Sequence, residues 1–296
     1  MAIQDLTEPG IHDLGDLDGP VLVFGGPYGN LEATAALIQA ARRLGVPATR
    51  AICTGDVVAY GADPQATVDL VREWGCPVLM GNCEEALAAD ADDCGCGFNQ
   101  GSTCATLSVQ WFDASRRDLG VAAKRWMGTL PRRIVFTLGG RTLAAIHGGV
   151  RRINRWIFAS TPEDEKAAEI DATEADGVVA GHCGIPFSAL VGGRLWHNSG
   201  AVGMPANDGT PRVWFSLLVP TGNGIAVAHH ALDYDSRTAA AKMRARGYPV
   251  EYADCLVSGL WPSCDVLPPA ECAERGRALV PRDLVWPRAR ALSLTE

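Results

Sequence analysis

Four short segments of this chain share one construction, an apolar run that ends where glycine meets Asp, Asn or His. They are Gly55-Asp56, Gly81-Asn82-Cys83-Glu84, His147-Gly148-Gly149 and Gly181-His182-Cys183-Gly184. An apolar run closed by glycine reads as a buried strand that stops at a sharp turn, because glycine enters backbone conformations other residues avoid. Each turn would project a polar side chain beyond a strand end, where open sheets with helical crossovers build their sites. Collected together, one carboxylate, one amide and two imidazoles are donors suited to Mn, Fe, Zn or similar ions. Any one of these segments is ordinary turn chemistry, but four in succession are not expected by chance.

The periodicity supports that frame. Val21–Phe24 reads as a strand and 31–44 as a helix, with Leu31, Ala35, Leu37, Ile38, Ala41 and Leu44 on one face and Gly45 and Pro47 behind it. Ala51–Cys53 and Pro77–Met80 read as further strands with a helix over 65–74 between them, which predicts parallel pairing through right-handed crossovers. The Asp-, Cys- and Gly-rich stretch 90–101 is a predicted loop, and 105–126 a predicted helix. From Arg133 the chain turns strand-rich, with strands expected over 134–137, 142–146, 177–180, 190–191, 213–219 and 225–229. A last helix is expected over 236–246. This predicts a single domain over residues 1–250, with 251–296 as a tail packed on it or partly extended.

At 296 residues and 47% hydrophobic content the chain can bury a large core. Its net charge of −8 argues against general nucleic-acid binding or an anionic membrane surface, yet allows a small phosphorylated partner if a metal supplies local positive charge. No run nears the roughly 20 apolar residues that span a bilayer, and the acidic start lacks a signal peptide's basic and apolar parts. These features predict a cytoplasmic protein and leave its oligomeric state open. Ten cysteines are many for a reducing compartment. Cys53, Cys76 and Cys255 read as small buried apolar residues.

The order of segments resembles the calcineurin-like metallophosphoesterase superfamily, in particular its small bacterial phosphodiesterase and diadenosine-tetraphosphatase-like branch. The resemblance rests on Gly26-Pro27-Tyr28-Gly29-Asn30, Gly55-Asp56, Gly81-Asn82-Cys83-Glu84, His147-Gly148 and Gly181-His182-Cys183-Gly184-Ile185-Pro186, and it runs from residue 20 to about residue 232. It implies a four-layer α-β-β-α sandwich and a hydrolase with two adjacent metals. One metal site is implied in full, by Asp56, Asn82, His147 and His182. Three ligand positions of the other are Gly26, Tyr28 and Gly184, so that site, as the family builds it, is lost. Cys83 stands where the family has its general acid and takes the catalytic position by resemblance, with Tyr28, Asn30 and Arg151 as substrate-binding candidates.

Cys94, Cys96, Cys104 and Cys183 fall near the same strand ends. Three readings fit them: a second, thiolate-bound metal replacing the lost one, a structural zinc, or redox-active thiols. The functional expectation is a metal-dependent phosphoesterase-like hydrolase with one divalent transition metal, Mn, Fe or Zn. The alternative is a non-hydrolytic metal- or thiol-dependent sensor or binding protein on the same scaffold.

Overall fold

The structure, a computed structural model, describes residues 10–280 and 283–288. Eleven strands are described: β1 (Ile11–Leu17), β2 (Val21–Phe24), β3 (Ala51–Cys53), β4 (Arg133–Leu138), β5 (Arg141–Ile146), β6 (Gly177–Ala180), β7 (Phe187–Val191), β8 (Arg194–Asn198), β9 (Val213–Thr221), β10 (Gly224–Leu232) and β11 (Leu284–Pro287). The helices are α1 (Leu31–Arg43), α2 (Pro64–Trp74), α3 (Asn82–Ala88), α4 (Thr103–Asp118), α5 (Val121–Met127), α6 (Glu163–Asp171), α7 (Ser236–Ala245), α8 (Val250–Ser258) and α9 (Pro269–Ala273). No described helix is long and apolar enough to cross a membrane.

The strands form two mixed sheets, one ordered β1-β4-β5-β6-β8-β7 and one ordered β11-β10-β9-β2-β3. Their inner faces meet in a dry core of Val21, Val23, Ile52, Ile134, Phe136, Leu143, Val179, Leu218, Ile225 and Trp286. Alternation explains the layering. Leu22 and Phe24 of β2 point outward to the helices that carry Leu37, Val68, Trp111 and Tyr252, while Val21 and Val23 point inward. Ile170 of α6 packs with Val178 and Trp196 on the outer face of the other sheet. Helices thus cover both outer faces, giving the expected α-β-β-α sandwich.

Local chemistry sets the ends that matter. Asn30 caps α1, accepting the Ala33 N–H at 3.1 Å, and Arg42 and Arg43 lie in the last turn, where the helix dipole favours cations. Pro64 opens α2 and Gly75, at φ +74°, closes it.

Four expectations change. The stretch 77–80 forms a single bridge, Cys53 to Val78, rather than a ladder strand; Pro77 has no N–H to donate, and the chain soon turns into α3. The helix expected over 105–126 breaks into α4 and α5 because Leu119 and Gly120 turn extended. Residues 11–17 add β1, parallel to β4. The segment after residue 250 supplies α8, α9 and an edge strand, β11, antiparallel to β10.

Candidate metal centre

Both glycine-turn ligands sit in left-handed backbone: Asp56, beyond β3, at φ +56° and His182, beyond β6, at φ +60°. For non-glycine residues such backbone costs about 1–3 kcal/mol and persists where the surrounding structure imposes it. Gly55 makes the approach feasible, since a Cβ there would stand 2.6 Å from the Gly81 nitrogen and 3.0 Å from His147 Nδ1.

Glu84 pins the loops. Its buried carboxylate accepts the N–H groups of Asp56 and Val57 at 2.7 Å each and of Gly81 at 2.9 Å. Asp56 in turn accepts the Cys83 N–H at 3.1 Å. Burial, then the neighbouring Asp56, pushes Glu84 up to about 7 against the pull of its backbone donors.

His147 fixes the electronics of the centre. Its Nδ1 lies 2.6 Å from the Thr54 carbonyl, which can only accept, so Nδ1 carries a proton. In the neutral ring Nε2 is then a lone pair. It faces Asn82 Oδ1 at 3.0 Å, His182 Nδ1 at 3.1 Å and the Asp56 carboxylate at 3.3 Å. The Asn82 amide is oriented by its other end, where Nδ2 donates to the Cys94 carbonyl at 2.9 Å. Burial first, and His147 second, push His182 down to about 3, so its ring is neutral as well.

The Asp56 carboxylate and the Asn82 oxygen therefore converge with the two imidazoles in a buried place, an arrangement suited to a cation. Without metal that charge falls to His147: burial opposes it, but the Asp56 carboxylate and the Thr54 carbonyl outweigh burial and raise its pKa. Asp56 is lowered in return, its burial outweighed by His147 and His182. A divalent ion would satisfy all four lone pairs at once. Ligand atoms sharing one ion must lie within a few ångströms of each other, and the donor atoms of Asp56, His147 and His182 all lie within 4.8 Å of one another. Among the described residues, Asp56, His147 and His182 are the metal-competent group of three His, Cys, Asp or Glu.

The space beside this centre is filled. The Tyr28 ring lies against Gly26, so close that a Cβ at Gly26 would meet Tyr28 Cζ at 2.3 Å, and the Tyr28 hydroxyl is 3.8 Å from where a Gly184 Cβ would be. The Tyr28 phenol thus fills the space between Gly26 and Gly184. Burial, then Asp56, raises the Tyr28 pKa well above its ordinary value. Its hydroxyl therefore stays protonated, and its ring borders the cavity beside His182.

Other expected residues are placed differently from one another. Asn30 is committed within the fold: beyond its cap, Nδ2 donates to the Gly203 carbonyl at 3.0 Å and lies 3.2 Å from the Tyr234 hydroxyl. Arg151 is exposed on the turn after His147. Cys83 is buried behind Asn82, whose Nδ2 is 3.6 Å from its sulfur, and burial with Asp56 and Glu84 keeps it a thiol.

Cys94 and Cys96 are joined as a disulfide under Asn82, Cys104 faces Ser263 at 3.4 Å, and Cys183 donates to the Ile185 carbonyl at 3.5 Å. These four form no metal-competent group among the described residues. Cys104 and Cys183 both border the cavity beside His182, while Cys94 and Cys96 pair with each other. Cys53, Cys76 and Cys255 are buried.

His182 also borders a cavity of about 40 Å³, room for a few waters. Trp156 lies over the His182 ring with centroids 4.0 Å apart. Phe98, Tyr252 and Trp261 form further walls, Trp261 coming from the segment after residue 250. Trp261 was not among the residues expected at the site. Its only signal was a Trp-Pro pair in a tail without periodicity.

Comparison with known proteins agrees with this architecture. An uncharacterised protein of Methanocaldococcus jannaschii is 24% identical over 257 residues, spanning 81% of this chain and 98% of that one. A Pyrococcus horikoshii protein of solved structure superposes with a TM-score of 0.69 at 16% identity, over 82% of this chain and 99% of the other. A metallophosphoesterase from Sphaerobacter thermophilus gives 0.64 at 22% identity, over 81% and 99%. At these identities the two structures speak for the fold. The family described as the calcineurin-like phosphoesterase superfamily domain matches residues 29–219, a span that contains Asp56, Asn82, His147 and His182, and the chain therefore belongs to that superfamily.

Proposed function

We propose that this chain is a hydrolase of small phosphate esters that works with one divalent transition metal, Mn, Fe or Zn, held by Asp56, Asn82, His147 and His182. The observation that carries the reading is the convergence of the Asn82 oxygen, His182 Nδ1 and the Asp56 carboxylate on His147 Nε2 at 3.0–3.3 Å. When bound, such an ion polarises a phosphoryl oxygen and lowers the pKa of a bound water.

The chain's own residues prepare the place. Thr54 fixes the His147 tautomer, the Cys94 carbonyl turns the Asn82 oxygen inward, and Glu84 holds the Asp56 turn. Cys83 contributes its backbone N–H to Asp56 and keeps a proton on sulfur next to Asn82, so it is placed to hold a proton rather than to ligate. Tyr28 occupies the neighbouring volume, which supports one ion rather than two.

The test is hydrolysis of an aryl phosphate ester by protein stripped with chelator and then reloaded with Mn, Fe or Zn, beside His182→Ala treated alike. Activity should return to the parent only. Turnover that survives chelation, or that His182→Ala shares, would contradict the assignment. Tight metal binding without turnover would point to the non-hydrolytic alternative.

A further inference from the structure

The cysteines divide by burial. Cys94 and Cys96 are joined to each other, and six of the eight free thiols are buried. Cys264 and Cys272 alone are half-exposed, and they face one another. Local chemistry brings them together. The chain reverses after Cys264, whose carbonyl accepts the Leu267 N–H at 2.9 Å. Pro269 then opens α9, and the Cys272 N–H donates to the Pro268 carbonyl at 2.9 Å. Leu267 is buried beneath this turn with Phe158 and Cys183, and both cysteines pack on that cluster.

Asn207 supplies a second observation. It is buried, and its amide orientation is fixed because Oδ1 accepts the Trp261 N–H at 2.8 Å. Its Nδ2 is shut off from water and has no acceptor at ordinary hydrogen-bond distance among the described residues. The acceptor it faces is the Cys264 sulfur. A neutral thiol accepts weakly, whereas a thiolate carries a charge that an amide N–H meets well. The Arg275 guanidinium, which donates to the Trp261 carbonyl at 3.0 Å, favours that charge too.

We propose that Cys264 and Cys272 form a reversible thiol–disulfide site whose reaction partner is a small disulfide of the glutathione type. The site is separate from the metal centre and stands whether or not the hydrolase reading does. The Cys264 thiolate attacks one sulfur of the partner, whose S–S bond breaks. One half of the partner leaves and takes up the proton that Cys264 gave. The Cys272 sulfur then attacks Cys264 in the mixed disulfide, passes its own proton to the second half and closes the Cys264–Cys272 bond. Two protein thiols are oxidised, one small disulfide is reduced to two thiols, and an excess of small thiol runs the sequence backwards.

Burial, then Cys272, holds Cys264 above the ordinary thiol range against the pull of Arg275 and Asn207. The pair therefore rests as thiols and reacts through a minor thiolate fraction. Closure staples the segment that brings Trp261 and Ser263 to the cavity beside His182 and sets Asp265 on the N-terminus of α4, where it accepts the Thr103 N–H at 2.8 Å.

The test is peptide mass mapping of the full chain after incubation with excess oxidised glutathione, beside Cys264→Ser and Cys272→Ser treated alike. Free thiols are blocked with N-ethylmaleimide in denaturant before digestion. Trypsin releases residues 247–275 as one peptide, since no lysine or arginine falls between Arg246 and Arg275. In the parent this peptide should carry one blocking group, on Cys255, and no glutathione, and dithiothreitol should reopen Cys264 and Cys272 to blocking. Cys272→Ser should trap one glutathione on Cys264, because the thiol that displaces it is gone. Cys264→Ser should gain its adduct about tenfold more slowly, because the Asn207 amide faces Cys264.

A parent peptide that stays reduced, or keeps its glutathione, would overturn the proposal. So would a closed peptide in Cys264→Ser, which would put the bond on Cys255. Equal adduct rates in the two variants would overturn the leading role of Cys264.

Discussion

Glu84 donates nothing and reaches no ligand, yet the centre depends on it, because its two oxygens accept three backbone N–H groups from two loops. Glu84→Gln replaces one acceptor by an NH₂ that faces N–H donors. It should destabilise the protein by about 2–4 kcal/mol in urea unfolding, the cost of unsatisfied buried donors, and should weaken metal binding with it. An unchanged midpoint would show that the loops hold themselves. Asp56, Asn82, His147 and His182 could be picked out from sequence because each follows an apolar run at a glycine turn. The role of Glu84 could not, since it depends on a contact across 28 positions with Asp56. Nor could the placement of Tyr28, whose phenol only the packing sets between Gly26 and Gly184.

Among the elements, those with strong apolar periodicity were the legible ones. α1, α2 and the strands β4 to β6 lie within a residue or two of their expected bounds. β1 was missed because its half-buried positions recur every third residue around Gly15, with acidic residues between, so neither strand nor helix period stands out. β11 was missed because four residues in a Pro- and Arg-rich tail carry too little pattern. That short strand nonetheless plants Trp286, fully buried, between the two sheets, with its indole N–H donating to the Gly193 carbonyl at 2.9 Å. Trp286→Ala should cost about 3–5 kcal/mol, as removal of a large core side chain does. A loss under about 1 kcal/mol, the range of ordinary surface changes, would mean the C-terminal strand is an ornament on the fold.

At the scale of the whole molecule, stability should depend on pH through histidines buried neutral inside the sandwich. His197, on β8, is held well below its ordinary pKa, first by burial and then by His229. The folded chain refuses a proton that the unfolded chain takes up below about pH 6.5, so this contribution is present above that pH and is lost as pH falls. His147 works in the opposite sense, its raised pKa giving stability that fades as pH rises. His197→Asn should therefore flatten the decline of stability between about pH 6.5 and 5 by up to about 1.4 kcal/mol per pH unit. An identical slope in the variant would place the titrating group elsewhere.

How many ions the centre holds decides whether Asp56, Asn82, His147 and His182 form one metal site. Elemental analysis of protein purified without added metal, beside Asn82→Ala and Tyr28→Ala variants, measures that directly. One ion per chain is expected in the parent and in Tyr28→Ala, with a marked loss in Asn82→Ala, because the four ligands surround a single position. Two ions in the parent, or an Asn82→Ala protein that keeps its full metal content, would contradict it.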